Sequence, residues 1–507
     1  MKRHSRLILL ALMLTLILPR WARAVNDGAS SVYTYNFDYW GEISESPDAY
    51  RVDETITSAS LGLDVAMNAP QSLFADGNTL FVVDRGNNRI LELCRERESF
   101  QLVRIIDRVA GAEPETFNSP NDVSTDAEGN IYVADTNNNR VVVMDRNLNF
   151  LRSFLKPSDS TFDQSSDFLP SKIVVDSAGR VFVNASNVNK GLVKFEADGT
   201  FSGFIGANRV SYNLWDYIWK TFFSTKEQRE QQASFVPTEY KNIYMDRDGF
   251  IYATNINFNE AELMGDSARP IRRLNSLGND ILIKNDRYPP IGDLYWSEGL
   301  PANDYHGPSK LFDITVLDND IYVAVDRMRG RVFGYDSQGM MLWAFGTRGS
   351  VEGSFNGAVS IEHMGTDLIV LDEFAGKIEV FRVTEYGQLI YDASVQYLKG
   401  EYERSAETWR EVLKLNANYS LALLGIGRAQ MRQDDFTGAM ENFQKAHSRV
   451  NFGKAYRYYR QEWMEKNIWW VVAVILLLTV FFAARGKIRK ARWEVSEYDR
   501  SKSLIGH

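Results

Sequence analysis

The sequence predicts a mainly β protein: a six-bladed β-propeller followed by a small α-helical repeat segment and one transmembrane helix. Three observations carry that expectation. A strand cassette recurs six times between residues 31 and 385, the hydrophobic pattern changes from period 2 to helical period after residue 385, and Ile468 to Ala484 form an apolar run without a single charge.

The clearest cassette is Asp126-Ala127-Glu128-Gly129-Asn130-Ile131-Tyr132-Val133-Ala134-Asp135, closing with Arg140-Val141-Val142-Val143-Met144-Asp145. An Asp/Gly turn leads into an alternating aromatic and β-branched strand, and a second polar turn leads into another. The pattern returns as Leu80–Asp84 with Arg89, Ile321–Asp326 with Arg331 and Leu368–Asp372 with Lys377, the strand-ending Asp always five residues before the basic one. Two copies are degenerate, with Ala185 and Asn255 at the Asp position. The six markers, 84, 135, 185, 255, 326 and 372, are spaced 51, 50, 70, 71 and 46 apart, so two units carry insertions. Such units suit radial stacking of four-stranded blades. Each opens on a pair that punctuates a new strand: Ala69-Pro70, Ser119-Pro120, Leu169-Pro170, Val236-Pro237, Gly307-Pro308 and Gly357-Ala358. Proline is tolerated at a strand's first residue because its missing donor does no harm there. Ring closure is expected to use residues 32–38 or 50–57 as an outer strand of the last blade, which removes a sticky edge.

These cassettes resemble NHL repeats, a six-bladed propeller family related in shape to the lactonase-like propellers. The resemblance implies an interaction platform more often than a catalyst. Past the propeller, Ala393 and Gly427, Tyr402 and Phe436, Ser405 and Ala439, Trp409 and Phe443, and Val412 and Ala446 are each 34 residues apart. That spacing over 386–466 resembles a pair of tetratricopeptide repeats, although Ala417 stands about where a proline would close the first. Two repeats make a weak solenoid, so they are expected to pack on the propeller or on a partner, or to act as a stalk.

The ends give the expected location. Residues 1–24 read as a signal peptide: Lys2, Arg3 and Arg6, an apolar run from Leu7 to Leu18, then Ala22-Arg23-Ala24. The 468–484 run spans ~26 Å as a helix, close to the ~30 Å hydrocarbon core of a bilayer. Trp469 and Trp470 stand at one end like an interfacial belt, and Arg485, Lys487, Arg489, Lys490 and Arg492 follow the other. The basic tail at 485–507 is therefore expected in the cytoplasm of a bacterial cell, with propeller and helical repeats outside. The chain carries a net charge of −9; the basic leader and tail leave −18 on residues 25–467, which disfavours nucleic acid as a partner. Cys94 is the only cysteine, so no intramolecular disulfide forms, which fits a bacterial envelope better than a eukaryotic secretory route.

Related propellers include calcium- or zinc-dependent lactonases and lyases, so a metal-dependent hydrolase or lyase is the competing expectation. Its site needs carboxylates, amides or imidazoles converging on the tunnel from several blades. Only His306 and His363 fall in the propeller, and neither has zinc-ligand spacing. Asn121 and Asp122, after Pro120, are expected near the inner mouth of blade two; the comparable residues elsewhere read Gln71, Ser171, Thr238, Ser309 and Val359, with Glu239 beside them. This set does not close a metal cage, so no catalytic residue, resident metal or cofactor is assigned, a divalent cation in the tunnel staying open.

Binding candidates lie elsewhere. The strand-ending aspartates and their basic partners are expected to be structural ties across each turn. The turns carry Asn87, Asn88, Asn137, Asn138, Asn139, Asn187, Asn189, Asn257 and Asn259, amides that read sugars or peptide backbones, or else serve tight turns by tolerating positive φ. Trp215, Ile218, Trp219, Phe222 and Phe223 follow i, i+3, i+4, i+7, i+8 spacing and predict a short amphipathic helix for packing, partner docking or a membrane interface. In a second insertion, Tyr295 and Trp296 offer rings that stack on a ligand. The expected function is a membrane-anchored extracytoplasmic binding or scaffold protein taking a protein or carbohydrate ligand, with an envelope protein, such as a transporter complex, as partner.

Overall fold

The computed structural model describes residues 32–38, 41–162, 164–188, 190–206, 240–258, 262–263, 268–283, 292–293 and 307–505. The expected signal peptide, the aromatic stripe Trp215, Ile218, Trp219, Phe222 and Phe223, and the loop residues Tyr295 and Trp296 lie outside the described residues.

Six antiparallel sheets form the propeller, at residues 72–106, 120–154, 170–205, 242–274, 311–345 and 358–383. Their first strands are Ser72–Asp76, Pro120–Thr125, Pro170–Val175, Asn242–Met245, Leu311–Leu317 and Ala358–Met364. Each packs against the next, and the last against the first, so they line a central tunnel. Both N-terminal segments proposed for closure are used, on different blades. Tyr50–Thr57 completes blade six by pairing with Lys377–Val383, while Thr34–Phe37 extends blade five from its outer strand Met341–Phe345. Ile43–Glu45 caps that extension, and blade four has three strands among the described residues.

The cassette's register explains how the tunnel is built. Pro120 faces Asp135, Pro170 faces Ala185, Leu311 faces Asp326 and Ala358 faces Asp372, so strand openings and marker residues share one face. In all four pairs the register shifts at the very next residue, a β-bulge that throws Asn121, Ser171, Phe312 or Val359 out of the ladder. Proline punctuation holds where Pro120 and Pro170 start their strands and fails at Pro308, which precedes the strand at Leu311. The blade-five residue comparable to Asn121 is therefore Phe312 rather than Ser309, and in blade four it is Lys241, before Asn242, rather than Thr238.

The expected ties across the turns form in two blades of four. Arg89 reaches Asp84 at 2.7 Å and Arg140 reaches Asp135 at 2.9 Å, all four groups buried. In blade five Arg331 instead turns to Asp293 at 2.6 Å and the Tyr35 hydroxyl, and in blade six Lys377 turns to Glu379 at 2.5 Å. Asp372 then accepts the backbone N–H groups of Asn356, Gly357, Phe374 and Ala375. The carboxylate is kept to bind the turn; the cation is interchangeable.

Five helices follow: α1 Glu385–Leu398, α2 Tyr402–Leu415, α3 Ser420–Arg432, α4 Phe436–Lys445 and α5 Arg449–Ile505. The Thr384 side chain caps α1 by accepting from the Gly387 N–H. Residues 34 apart occupy matching places in the two hairpins: Tyr402 and Phe436 open α2 and α4, and small residues take the tight crossings. A Cβ on Gly425 would meet the Trp409 ring at 2.3 Å, and one on Gly427 would meet Phe443 at 2.6 Å. Tyr386, Ile390, Trp409 and Tyr419 belong to the same apolar core as Trp343, Phe345 and Phe381 of blades five and six, and the Tyr419 hydroxyl donates to the Leu342 carbonyl at 2.6 Å. The helical segment is thus packed on the propeller. Helix α5 starts against α4 through Phe452 and Ala455, then runs on exposed; by length and composition it is apolar enough to cross a membrane.

Candidate functional site

A cavity of about 160 Å³ opens at the tunnel end where the first strands begin. The bulges aim its lining: Asn121 and Ser171, with Gln71, Lys241, Phe312 and Val359 at the corresponding places of the other blades, and Asn184 and Asn242 between them. The Gln71 and Asn121 side-chain amides make no hydrogen bond among the described residues. Asn184 is engaged, donating to the Tyr240 carbonyl at 2.7 Å.

One layer deeper the residues staple neighbouring blades. Asp122 accepts from the Ser72 hydroxyl at 2.5 Å and the Ile173 N–H at 2.9 Å, and Lys172 of blade three pairs with it at 3.3 Å while donating to Ser72 at 2.8 Å. Asp313 likewise accepts the Ile361 N–H at 2.8 Å, and the Ser360 hydroxyl accepts the Leu73 N–H at 3.0 Å. Both Asp122 oxygens are therefore occupied, with an ammonium already beside them. Burial pushes the Asp313 carboxyl above the usual carboxylate range, although the nearby Lys172 charge opposes this.

Two further cations stand at the mouth. Arg327 lies over the rings of Phe312 and Phe374, 5.0 and 5.1 Å from their centroids, and is paired with Glu373 at 2.5 Å. Lys241 sits 4.5 Å from the Phe312 centroid, and its ammonium has no ion pair or hydrogen bond among the described residues. Burial, then the positive charges of Lys172 and Arg327, lower its pKa.

The opposite end of the first strands is chemically different. There the Thr315 hydroxyl lies 3.3 Å from the Glu362 carboxyl and 2.8 Å from Nδ1 of His363, beside Tyr244. Desolvation, reinforced by Asp313, raises the Glu362 carboxyl well above its ordinary value, and burial lowers His363 to about 4. Among the described residues no three His, Cys, Asp or Glu side chains are grouped to hold a metal.

The turn asparagines share the mouth face, but several are committed to the turns. Asn88 and Asn139 adopt φ of 53° and 58°. The Asn138 amide donates to Asp135 at 2.8 Å and to the Thr116 carbonyl at 3.0 Å, and the Asn187 amide donates to the Asp167 carbonyl. Asn137 is exposed, touching Asn118 at 3.5 Å. Asn189, Asn259, Glu239 and His306 lie outside the described residues. Lys172, Lys241 and Phe312 were not singled out from the sequence. Counting fourteen residues back from markers 255 and 326 finds Lys241 and Phe312, as the same step from 135 finds Asn121.

Residues 117–144, which take in the clearest cassette up to Met144, match the NHL repeat. No curated protein matches the chain. Solved structures similar in fold include virginiamycin B lyase from Staphylococcus aureus, 11% identical over 69% of this chain and 87% of that one, with a TM-score of 0.37. Another is a protein assigned as a gluconolactonase, 10% identical over 67% and 94%, with a TM-score of 0.39. A third, a protein of unknown function from Bacteroides thetaiotaomicron, is 13% identical over 66% and 72%, also at 0.39. The chain is a six-bladed β-propeller with five C-terminal helices, and its second blade matches the NHL repeat.

Proposed function

We propose that the protein is a membrane-anchored extracytoplasmic binding or scaffold protein whose propeller mouth takes a carbohydrate or protein ligand. The observation that carries this reading is the pair of unspent amides, Gln71 and Asn121, aimed into a polar cavity by the strand openings of adjacent blades. Side-chain amides offer paired donors and acceptors, the chemistry that reads hydroxyls and peptide groups. The reading needs no resident metal, since the tunnel's Asp122 is engaged by Ser72, Ile173 and Lys172.

In this proposal the apolar part of α5 is a single span with the basic tail in the cytoplasm, and the tetratricopeptide-like helices form a rigid spacer fixed to blades five and six. An envelope protein, such as a transporter complex, is the expected partner. The test is native mass spectrometry of the full chain extracted from its own membranes in detergent, beside the Gln71→Ala, Asn121→Ala double variant. A ligand retained by the first and absent from the second is expected; equal retention, or none in either, overturns the reading.

A further inference from the structure

We infer that the tunnel mouth is a site for a small anion, a carboxylate or phosphate monoester that also bears hydroxyl groups, held by the Lys241 ammonium. The inference rests on the ligand-binding reading above and names the class of ligand.

Charge accounting at the mouth singles out Lys241. Lys172 is matched by Asp122, and Arg327 by Glu373. Lys241 lines the same cavity and has no carboxylate of its own among the described residues. Its only described side-chain partner is the Phe312 ring, 4.5 Å away at the centroid. A ring face attracts a cation but satisfies few of the three ammonium donors. Of the carboxylates, Glu373 acts on Lys241, but Arg327 already holds it, so among the described residues it does not neutralise both cations. An anionic ligand would supply the missing charge.

The rest of the lining says what else the ligand carries. The Gln71 and Asn121 amides come from blades one and two, while Lys241 and Phe312 come from blades four and five, so charge and amides face one cavity from opposite sides. At about 160 Å³ the cavity is smaller than the ~300 Å³ at which drug-sized sites begin, so it suits one sugar- or amino-acid-sized group. The body of the protein is acidic, −18 over residues 25–467, so capture depends on this local arrangement and not on long-range attraction.

Isothermal titration of the full chain in detergent with glucuronate, glucose 6-phosphate and glucose tests this. Binding is expected for one or both anions and not for glucose, and the two anion arms tell carboxylate from phosphate. Lys241→Met should weaken anion binding about tenfold or more, and Lys241→Arg should hold it within about threefold. Affinity should fall as alkaline pH deprotonates Lys241. Binding of glucose as tight as glucuronate and unchanged in Lys241→Met overturns the anion inference. In that case loss of glucose binding in the Gln71→Ala, Asn121→Ala variant leaves the amide-lined binding site standing. Failure of all three probes to bind also overturns the inference, and the retained-ligand experiment then decides the broader reading by itself.

Discussion

The two ends of the propeller tunnel are built from the same six strands and treat charge in opposite ways. At the mouth, Lys172 and Arg327 are paired with carboxylates, and Lys241 stands beside them with no ion pair of its own among the described residues. At the other end, burial favours the neutral forms of Glu362 and His363 around the Thr315 hydroxyl. The difference follows from the bulges. They turn polar side chains into an open cavity at the strand openings, whereas regular pairing at the far end leaves Glu362 and His363 with little water and few partners. The mouth keeps charged side chains in an open cavity; the far end is a place where ionisation is expensive.

Four measurements probe that contrast, using urea unfolding of the full chain in detergent. The largest effect is expected for Asp122→Ala, which strands the Lys172 ammonium and the Ile173 N–H at a blade junction; a loss of about 3 kcal/mol is expected. A loss under about 1 kcal/mol would mean that the mouth's ion pair is not structural. Next is the pH dependence from His363. Its pKa falls from 6.5 to about 4 on folding, so between those values the unfolded chain binds a proton that the folded one does not. Stability should rise with pH across that window, by up to about 3 kcal/mol, and His363→Leu should abolish the rise.

Glu362 works with the other sign. Its folded pKa is raised, so the stability it contributes below its ordinary value of 4.5 is lost as pH climbs through the folded value. Glu362→Gln should therefore stabilise the protein at pH 8 by about 1 kcal/mol and leave the His363 rise unopposed. Destabilisation at pH 8 would show that the carboxylate is wanted in its charged form. The smallest effect is expected at Lys241→Met, within about 0.5 kcal/mol, because that ammonium has no described ion pair to lose.

The propeller was legible because its signals are local. The turn Asp, the alternating strand and the Asp marker lie within ten residues, and the Asp126 side chain accepts the Glu128 and Asn130 N–H groups to close the turn. The partition of charge along α5 was equally plain. What stayed hidden were contacts made across blades. Lys172 meets Asp122 because matching positions in neighbouring blades are one repeat, 50 residues, apart. Arg331 leaves its marker for Asp293, a residue in the inserted segment before blade five that no spacing rule connects to it. Lys241 and Phe312 were missed for a simpler reason. Proline marks a strand opening only where the ladder happens to begin there, whereas the antiparallel register counted back from the marker fixes the position even where the punctuation has drifted.

Blade six also sets an order of events in time. Its fourth strand, Tyr50–Thr57, is made before the first strand of blade one, and its partner Lys377–Val383 follows 320 residues after Thr57 at the Thr57–Lys377 contact. Until that late segment emerges, the early strand has no edge to join and the ring has no lock. The strands of the five preceding blades can pair within their own sheets, so what remains for the end of folding is long-range: Tyr50–Thr57 joins Lys377–Val383 and Thr34–Phe37 joins Met341–Phe345, and the entropic cost falls on these two ladders. The helix hairpins begin directly after Lys377–Val383, so their docking onto blades five and six arrives together with closure and traps it.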